Sequence, residues 1–301
     1  NSYKAFVARH GGSTNASTSG EQTCFQFDVV DDELEGALER FGLFFVEPLL
    51  KAECIDREMH AVDAEHSKNV NDDGRRAYQM LRVSASRDHP FSNFSTGNLD
   101  TLQIPNVRDK LLTLWKDRYD PKIATACIVS RRSLDELEVL AIKHFGAMSH
   151  TGSTGPYPDV EKMVQASLFD RTCVIYEHKP VRELRSLRVL WPLSFGLRDR
   201  YFNGGERVVT HALGHEGPGS LLAYLKARGW AHGLSTGVSP NLHDVACFSL
   251  SVDLTPVGEE KRYSDVLPAI FKGVGALWRN LRSDPHLAKR LWDEIAVVAA
   301  A

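Results

Sequence analysis

The chain has 301 residues, enough for two domains of ordinary size that each bury a hydrophobic core. With 43% hydrophobic residues, 25% charged residues and a formal net charge of −3, the composition excludes a disordered chain and does not indicate nucleic acid as a partner. No apolar run approaches the roughly 18 residues that a membrane-spanning helix requires.

The cysteines indicate a reducing compartment. They are five in number, widely separated and without a CxxC pair, so neither a disulfide framework nor a thiolate zinc site is indicated. The stretch NSYKAFVARHGG is too polar for a signal peptide. We therefore expect a cytoplasmic protein, with the mitochondrial matrix as the alternative.

The first predicted elements are a strand and two helices. In TCFQFDVV (23–30), Phe25 and Phe27 alternate with polar residues, which is the period of a half-buried strand. From Asp32 the apolar residues recur at spacings of three and four, which predicts an amphipathic helix that Pro48 ends. A second long helix follows and breaks near NDDG (71–74).

The next elements complete a mixed α and β unit. IATACIVS (123–130) predicts a buried strand, and SLDELEVLAIKHF (133–145) predicts a helix capped by Ser133 with Glu136 three residues later. SHTGSTGPYPDV (149–160) concentrates Gly, Ser, Thr and Pro and is the best linker candidate. We therefore place a domain boundary there, with domains of residues 1–155 and 156–301.

The order of elements in the second half roughly echoes that of the first, although the two halves are not recognisably similar in sequence. TCVIYE, LRVLWPL and ACFSLSVDL predict strands, whereas GGERVVTHALG, SLLAYLKARG and residues 261–282 predict helices. The fold class expected is α+β, with two related domains that each consist of a mixed, mostly antiparallel sheet with helices packed on one face. NSYKAF resembles mid-domain sequence and LWDEIAVVAAA stops within a helical pattern, so we expect a fragment or a processed piece, truncated at the carboxyl end of the second domain.

The stretch DREMHAVDAEHSKN (56–69) carries two acids on one helical face. Glu58 and Glu65 are seven residues apart and therefore share a stripe. Two glutamates in a polar helix are more often a solvated face than a site. A hydrolytic zinc site also needs further protein ligands, and His60 and His66 lie six apart on different faces, matching neither HExxH nor HxxEH.

HALGHE offers a second pair of histidines. His211 and His215 are four residues apart, as two zinc ligands on one helical face would be, and Glu216 follows. Against zinc binding, Gly214 and the GPG that follows would end a helix at that point, and no upstream acid completes a general-base motif. Helix termination is the better interpretation of this pair.

Several longer stretches carry a resemblance to a known family. HGGSTNASTSGEQTCFQFDV, LEGALERFGLFFVEPLL, DREMHAVDAEHSKN, HPFSNFSTGN and GHEGPGSLLAYLKARGW resemble, in this order, the insulin-degrading enzyme branch of the pitrilysin (M16) zinc peptidases. The resemblance implies that Glu65 is similar to the third zinc ligand and Glu58 to an acid that supports the site. It also implies a zinc cofactor and peptide hydrolysis by a metal-bound water.

The resemblance also implies two peptide-binding segments. Asn15, Ala16 and Ser17 resemble the edge strand that pairs with the substrate backbone, and an ordinary surface strand is the alternative. Four further residues, in GHEGPGS and GLSTG, stand where the insulin-degrading enzymes have an exosite that anchors the amino terminus of the substrate: Gly214, Glu216, Leu234 and Thr236. Thr236 replaces an expected glycine, and the alternative is a loop that merely terminates helices.

The sequence departs from the family in one decisive respect. HxxEH, which in the family lies upstream of the position of Glu65, is absent from the chain. We therefore expect part of an insulysin-like zinc metalloendopeptidase that degrades peptides and is inactive as this chain alone, with weak or no zinc binding. The alternative is a non-catalytic homologue that serves as a structural subunit or a peptide-binding partner. Expected partners are peptides and the remainder of the M16 protein or a homologous subunit.

Overall fold

The computed structural model describes residues 2–148, 167–171, 173–193, 204–242 and 245–300. The chain divides into two compact units, one of Asn1–Arg82 with Asn93–Gln165 and the other of Val83–Ser92 with Ala166–Ala301. The predicted boundary between residues 155 and 156 lies outside the described residues and stays a prediction.

The first unit is mainly helical and carries one β-hairpin. Its elements in chain order are α1 (Tyr3–Arg9), β1 (Thr14–Thr18), β2 (Thr23–Phe27), α2 (Leu34–Val46), α3 (Ala52–Asn69), α4 (Asp73–Ser84), α5 (Leu99–Leu102), α6 (Val107–Arg118) and α7 (Leu134–Phe145). The final two residues of α4 belong to the second unit. The predicted capping box is present, because Ser133 and Glu136 exchange side-chain to backbone hydrogen bonds at the start of α7.

The core of the first unit is aliphatic between α2 and α7 and aromatic beside the hairpin. The buried aliphatic residues are Leu34, Leu38, Leu137 and Leu140. The ring contacts involve Tyr3, Phe25, Phe27, Phe41, Phe44, Phe45, Tyr119 and Phe145. This packing holds α2 against the inner face of β2, as the alternation in TCFQFDVV predicted.

The hairpin pairs β1 and β2 in antiparallel register, with Ala16 opposite Phe25. Gly12 lets the chain closely approach Asp28, the residue that follows β2, since a Cβ atom there would lie 1.9 Å from the carbonyl oxygen of Asp28. Among the described residues no strand pairs with the outer edge of β1. That edge therefore presents backbone hydrogen-bonding groups.

The second unit contains a three-stranded antiparallel sheet and helices. Its elements are β3 (Ser186–Pro192), α8 (Gly205–Gly214), α9 (Leu221–Ala227), β4 (Ala231–Asn241), β5 (Ala246–Leu254), α10 (Pro256–Glu260), α11 (Leu267–Ser283) and α12 (Leu287–Ala300). The strand order is β3-β5-β4, and Val252 on β5 stands opposite both Leu187 and Leu234. Helices and antiparallel sheets together confirm the α+β class.

The core of the second unit lies between this sheet and its helices. The buried members of one continuous cluster include Leu222, Leu225, Leu250, Val252, Val266 and Ile270. Within the described part of the chain, no helix combines the length and apolar character that crossing a bilayer needs.

Two predicted strands are wrong and one strand was not predicted. Residues 124–130 of IATACIVS and 173–177 of TCVIYE form no strand, and Val129 is 89% exposed. A strand requires a neighbour for its backbone hydrogen bonds, and no described strand lies beside either segment. β4 escaped prediction because glycine and serine interrupt its alternation, but pairing with β5 stabilises it.

Candidate functional site

Helix α3 carries both candidate acids on its exposed surface. Its sequence contains no glycine or proline, so a continuous helix of 18 residues forms from Ala52 to Asn69. Glu58 and Glu65 are exposed, and Ile55 is the one buried residue of this fully described helix. Neither carboxylate has a hydrogen bond or an ion pair with another described residue, so their oxygens are not occupied by a competing protein cation.

The histidines of α3 have other contacts. His60 Nδ1 lies 2.9 Å from the carbonyl oxygen of Asp56 one turn earlier, and the ring of His66 packs edge-on against Phe94 with centroids 5.3 Å apart. The two imidazoles therefore do not converge with Glu65 on one point, as their spacing in the sequence indicated.

A zinc site needs three protein ligands, and the described residues supply one candidate. They contain no group of three or more His, Cys, Asp or Glu side chains that could hold a metal ion. Glu65 fits the part of a single carboxylate ligand, because its oxygens are exposed and unpaired among the described residues. The described residues therefore do not assemble a complete zinc site.

The histidine pair of HALGHE straddles the end of α8, with the two ring centroids 6.1 Å apart. His211 lies within the helix, and His215 is the capping residue with an extended backbone. His211 Nε2 lies 3.0 Å from Glu294 Oε2, whereas His215 Nδ1 accepts a hydrogen bond of 2.9 Å from the Gly217 N–H. Each ring has its own protein partner, which favours helix termination over zinc ligation for this pair.

The candidate substrate strand lies on the outer edge of the hairpin. Asn15, Ala16 and Ser17 occupy the middle of β1, and all three are exposed. In an antiparallel pair alternate residues direct their N–H and C=O groups away from the partner strand. This geometry can add a further strand without any particular side chain.

The four candidate exosite residues lie where α8 ends beside β4. Thr236 Oγ1 donates a hydrogen bond of 2.8 Å to the carbonyl oxygen of Thr210. A Cβ atom on Gly214 would lie 3.0 Å from the same Oγ1, so glycine permits the approach of helix and strand. Leu234 lies two residues before Thr236, on the same face of β4, and packs against the core of the second unit.

Glu216 supplies the charge of this candidate exosite. Its side chain is 71% exposed and its Oε2 lies 3.7 Å from Lys226 Nζ on α9. Lys226 is a residue that the sequence did not single out, since no local pattern links a cation on α9 to Glu216, which lies ten positions earlier in the loop after α8. The structure thus brings Gly214 and Thr236 into contact and leaves Glu216 at the surface.

Comparisons with known proteins identify the family of this chain. Residues 1–91 match the family model of insulinase (peptidase family M16), and residues 106–284, more than half of the chain, match the model of the peptidase M16 inactive domain. The chain belongs to peptidase family M16. This confirms the resemblance that the sequence indicated.

Several M16 relatives are similar over most of this chain. The insulin-degrading enzyme of Homo sapiens is 38% identical over 86% of this chain and 25% of its own length. The A-factor-processing enzyme of Saccharomyces cerevisiae is 34% identical over 93% of this chain and 27% of its own length. "Insulin-degrading enzyme-like 1, peroxisomal" of Arabidopsis thaliana is 32% identical over 99% of this chain and 30% of its own length. The chain therefore spans less than a third of the length of these relatives.

Solved structures support the M16 fold. The crystal structure of pitrilysin matches with a TM-score of 0.76 and 27% identity over 91% of this chain and 29% of that chain. A protease from Helicobacter pylori matches with a TM-score of 0.66 and 18% identity over 99% of this chain and 70% of that chain, which shows the fold alone.

Proposed function

We propose that this chain is part of an insulysin-like zinc metalloendopeptidase that degrades peptides. The observation that carries the proposal is Glu65 on α3, an exposed carboxylate with no hydrogen bond or ion pair among the described residues, in a chain that belongs to family M16. Its relatives are named for the degradation of insulin and the processing of A-factor, which supports peptides as the substrate class.

Glu65 would hold zinc as one ligand, and Glu58, two turns earlier on the same face, would act as a supporting acid. When bound, zinc supplies a water of lowered pKa for attack on a peptide bond. Because HxxEH is absent from the sequence, this chain lacks two histidine ligands and the general base. We therefore propose that the chain alone is inactive and that the complete site includes residues of a longer protein.

Each unit contributes a peptide-binding segment to the proposal. In the first unit, the edge of β1 at Asn15–Ser17 accepts an extended peptide by backbone pairing. In the second unit, Gly214, Leu234 and Thr236 shape a surface beside Glu216, which attracts the amino end of a peptide. The five free cysteines favour a reducing compartment such as the cytoplasm or the mitochondrial matrix.

The test uses the full-length product of the gene that encodes this chain. Glu65→Gln removes the charge and keeps the shape, so zinc content and peptide hydrolysis should both collapse. Glu58→Gln should weaken zinc binding by about 10- to 100-fold, as residues that support metal ligands do. Glu53→Gln, an exposed acid on the same helix, is the matched control and should change neither. Retention of stoichiometric zinc by Glu65→Gln would contradict the ligand assignment.

One observation favours the alternative of a non-catalytic homologue. Residues 106–284 match a family model described as the peptidase M16 inactive domain. Such a protein would serve as a structural subunit or a peptide-binding partner. The reading frame of the gene separates the two proposals, because an HxxEH upstream of Asn1 supports the peptidase and a start codon near Asn1 supports the subunit.

A further inference from the structure

The loop Asn93–Leu99, which we call the 93–99 loop, is fixed to the helices that precede it. At its start, Nε and Nη2 of Arg82 on α4 both donate hydrogen bonds to the carbonyl oxygen of Asn93, at 2.9 and 2.6 Å. Within the loop, Gly97 has a φ of +82°, which favours glycine, and it lets the chain turn back toward α5. The first residue of the loop is therefore held in place by Arg82.

The same loop contacts α3 on both sides of Glu65 in the sequence. Asp63 Oδ1 accepts a hydrogen bond of 2.9 Å from the Leu99 N–H, across 36 positions of the chain. The ring of Phe94 packs edge-on against His66. Asn98 caps the short helix that begins at Leu99, so the Leu99 N–H that donates to Asp63 is itself held in place.

These contacts hold a part of α3 in which no residue is buried. Ile55, the buried residue of this fully described helix, lies ten positions before Glu65. Asp63 and His66, three positions apart, are neighbours on the helix surface, and Glu65 projects about 100° around the axis from His66. The 93–99 loop therefore contacts one face of the helix, and the carboxylate of Glu65 lies on another, exposed face.

We infer that Asp63 is a positioning residue, which with the 93–99 loop holds the last two turns of α3 so that Glu65 keeps the place of a zinc ligand. This inference rests on the function proposed for Glu65. When a metal ion binds a side chain on a fraying helix end, the helix end becomes ordered and loses conformational entropy. A helix end that is already fixed avoids this loss and therefore binds the metal more tightly. The hydrogen bond acts through the helix backbone, and Asp63 itself touches neither metal nor substrate.

The first experiment measures amide hydrogen exchange in the 301-residue chain. Asp63→Ala removes the acceptor, and exchange at the Leu99 amide should become at least about tenfold faster, because a hydrogen bond to a charged group is lost. The amides of residues 66–69 should exchange faster as well. Asp63→Asn keeps a side-chain oxygen and should restore most of the protection. Asp56→Ala is the control, because Asp56 lies seven residues earlier on the same stripe and its carboxylate has no partner among the described residues.

The second experiment measures zinc affinity by chelator competition in the full-length gene product. Asp63→Ala should bind zinc about tenfold more weakly, whereas Asp63→Asn and Asp56→Ala should retain near wild-type affinity. Phe94→Leu removes the other contact at an exposed position and should also weaken zinc binding, so the inference stays testable if Asp63→Ala does not fold.

The outcomes separate the inference from the proposed function. A wild-type protein that binds no zinc would overturn the proposed function, and the positioning role falls with it. Normal zinc in the wild type, with Asp63→Ala indistinguishable from Asp56→Ala in zinc affinity, would overturn the positioning role alone. An unchanged exchange rate at Leu99 would also overturn it.

Discussion

Glu216 should sense the charge at the amino end of a bound peptide. The perturbation is Glu216→Ala in the 301-residue chain, compared for a short unstructured peptide with a free amino terminus and for the same peptide with an acetylated one. Acetylation removes the positive charge that Glu216 would attract. The loss of Glu216 should therefore weaken binding of the free peptide and leave binding of the acetylated peptide unchanged.

The size of the effect follows from the exposure of the carboxylate. Glu216 is 71% exposed, and exposed ion pairs contribute about 0.2 to 1 kcal/mol, which corresponds to a change in affinity of about 1.4- to 5-fold. Lys226 lies 3.7 Å from Glu216 and competes for it. Lys226→Ala should therefore strengthen binding of the free peptide, and salt near 1 M should abolish both effects by screening.

Calorimetric or anisotropy titration of both peptides into each variant gives the four dissociation constants of a double-mutant cycle. Glu260→Ala is the control, since Glu260 is an exposed acid of the same unit without an ion pair among the described residues. Circular dichroism would establish that each variant is folded. Equal affinity of the folded wild type for free and acetylated peptide would refute the role of Glu216.

Three further outcomes are expected for the isolated chain. Dialysis against a mild chelator should leave substoichiometric zinc by mass spectrometry, because one carboxylate does not make a three-ligand set; stoichiometric zinc would refute this. Burial raises the pKa of the Cys247 thiol to about 11, so iodoacetamide near pH 8 should modify the four exposed cysteines and spare Cys247. Because the folded pKa is raised, the contribution of this thiol to the free energy of unfolding should be lost as the pH rises from about 9 through 11. Hydrogen bonds from Tyr263 and Arg262 lower the pKa of Glu177 in the folded chain. The contribution of Glu177 to stability is therefore present above its unfolded pKa and is lost as the pH falls through the lower folded pKa. The denaturant midpoint of Glu177→Gln should accordingly fall less on acidification than that of the wild type.

Elements governed by local rules were predictable from the sequence. The cap at Ser133, the amphipathic period of α2 and the strand-like composition of LRVLWPL and ACFSLSVDL are each properties of the segment itself, and each element is present. The strand predicted at IATACIVS failed because a strand depends on a neighbour that composition does not reveal. β4 formed against its own composition for the same reason, since β5 supplies its hydrogen bonds.

The candidate site could be predicted from local sequence patterns only in part. Periodicity placed Glu58 and Glu65 on one face but favoured a solvated surface, and the structure does leave both exposed. Only the family resemblance gave that surface a function. Asp63 and Lys226 could not be found in this way. No local pattern reports the hydrogen bond of Asp63 across 36 positions, and none reports the ion pair of Lys226 with Glu216, ten positions earlier.

The segment Val83–Ser92 has a consequence for the order of events during synthesis. It belongs to the second unit, where Ala85, His89 and Phe91 are buried and the Ser86 N–H donates to the carbonyl oxygen of Leu168. That partner is translated about 80 residues later, which takes about 4 to 16 s at roughly 5 to 20 residues per second. The second unit therefore cannot complete its fold when its first residues leave the ribosome. We expect this segment to remain a nascent, chaperone-accessible stretch until Leu168 has emerged.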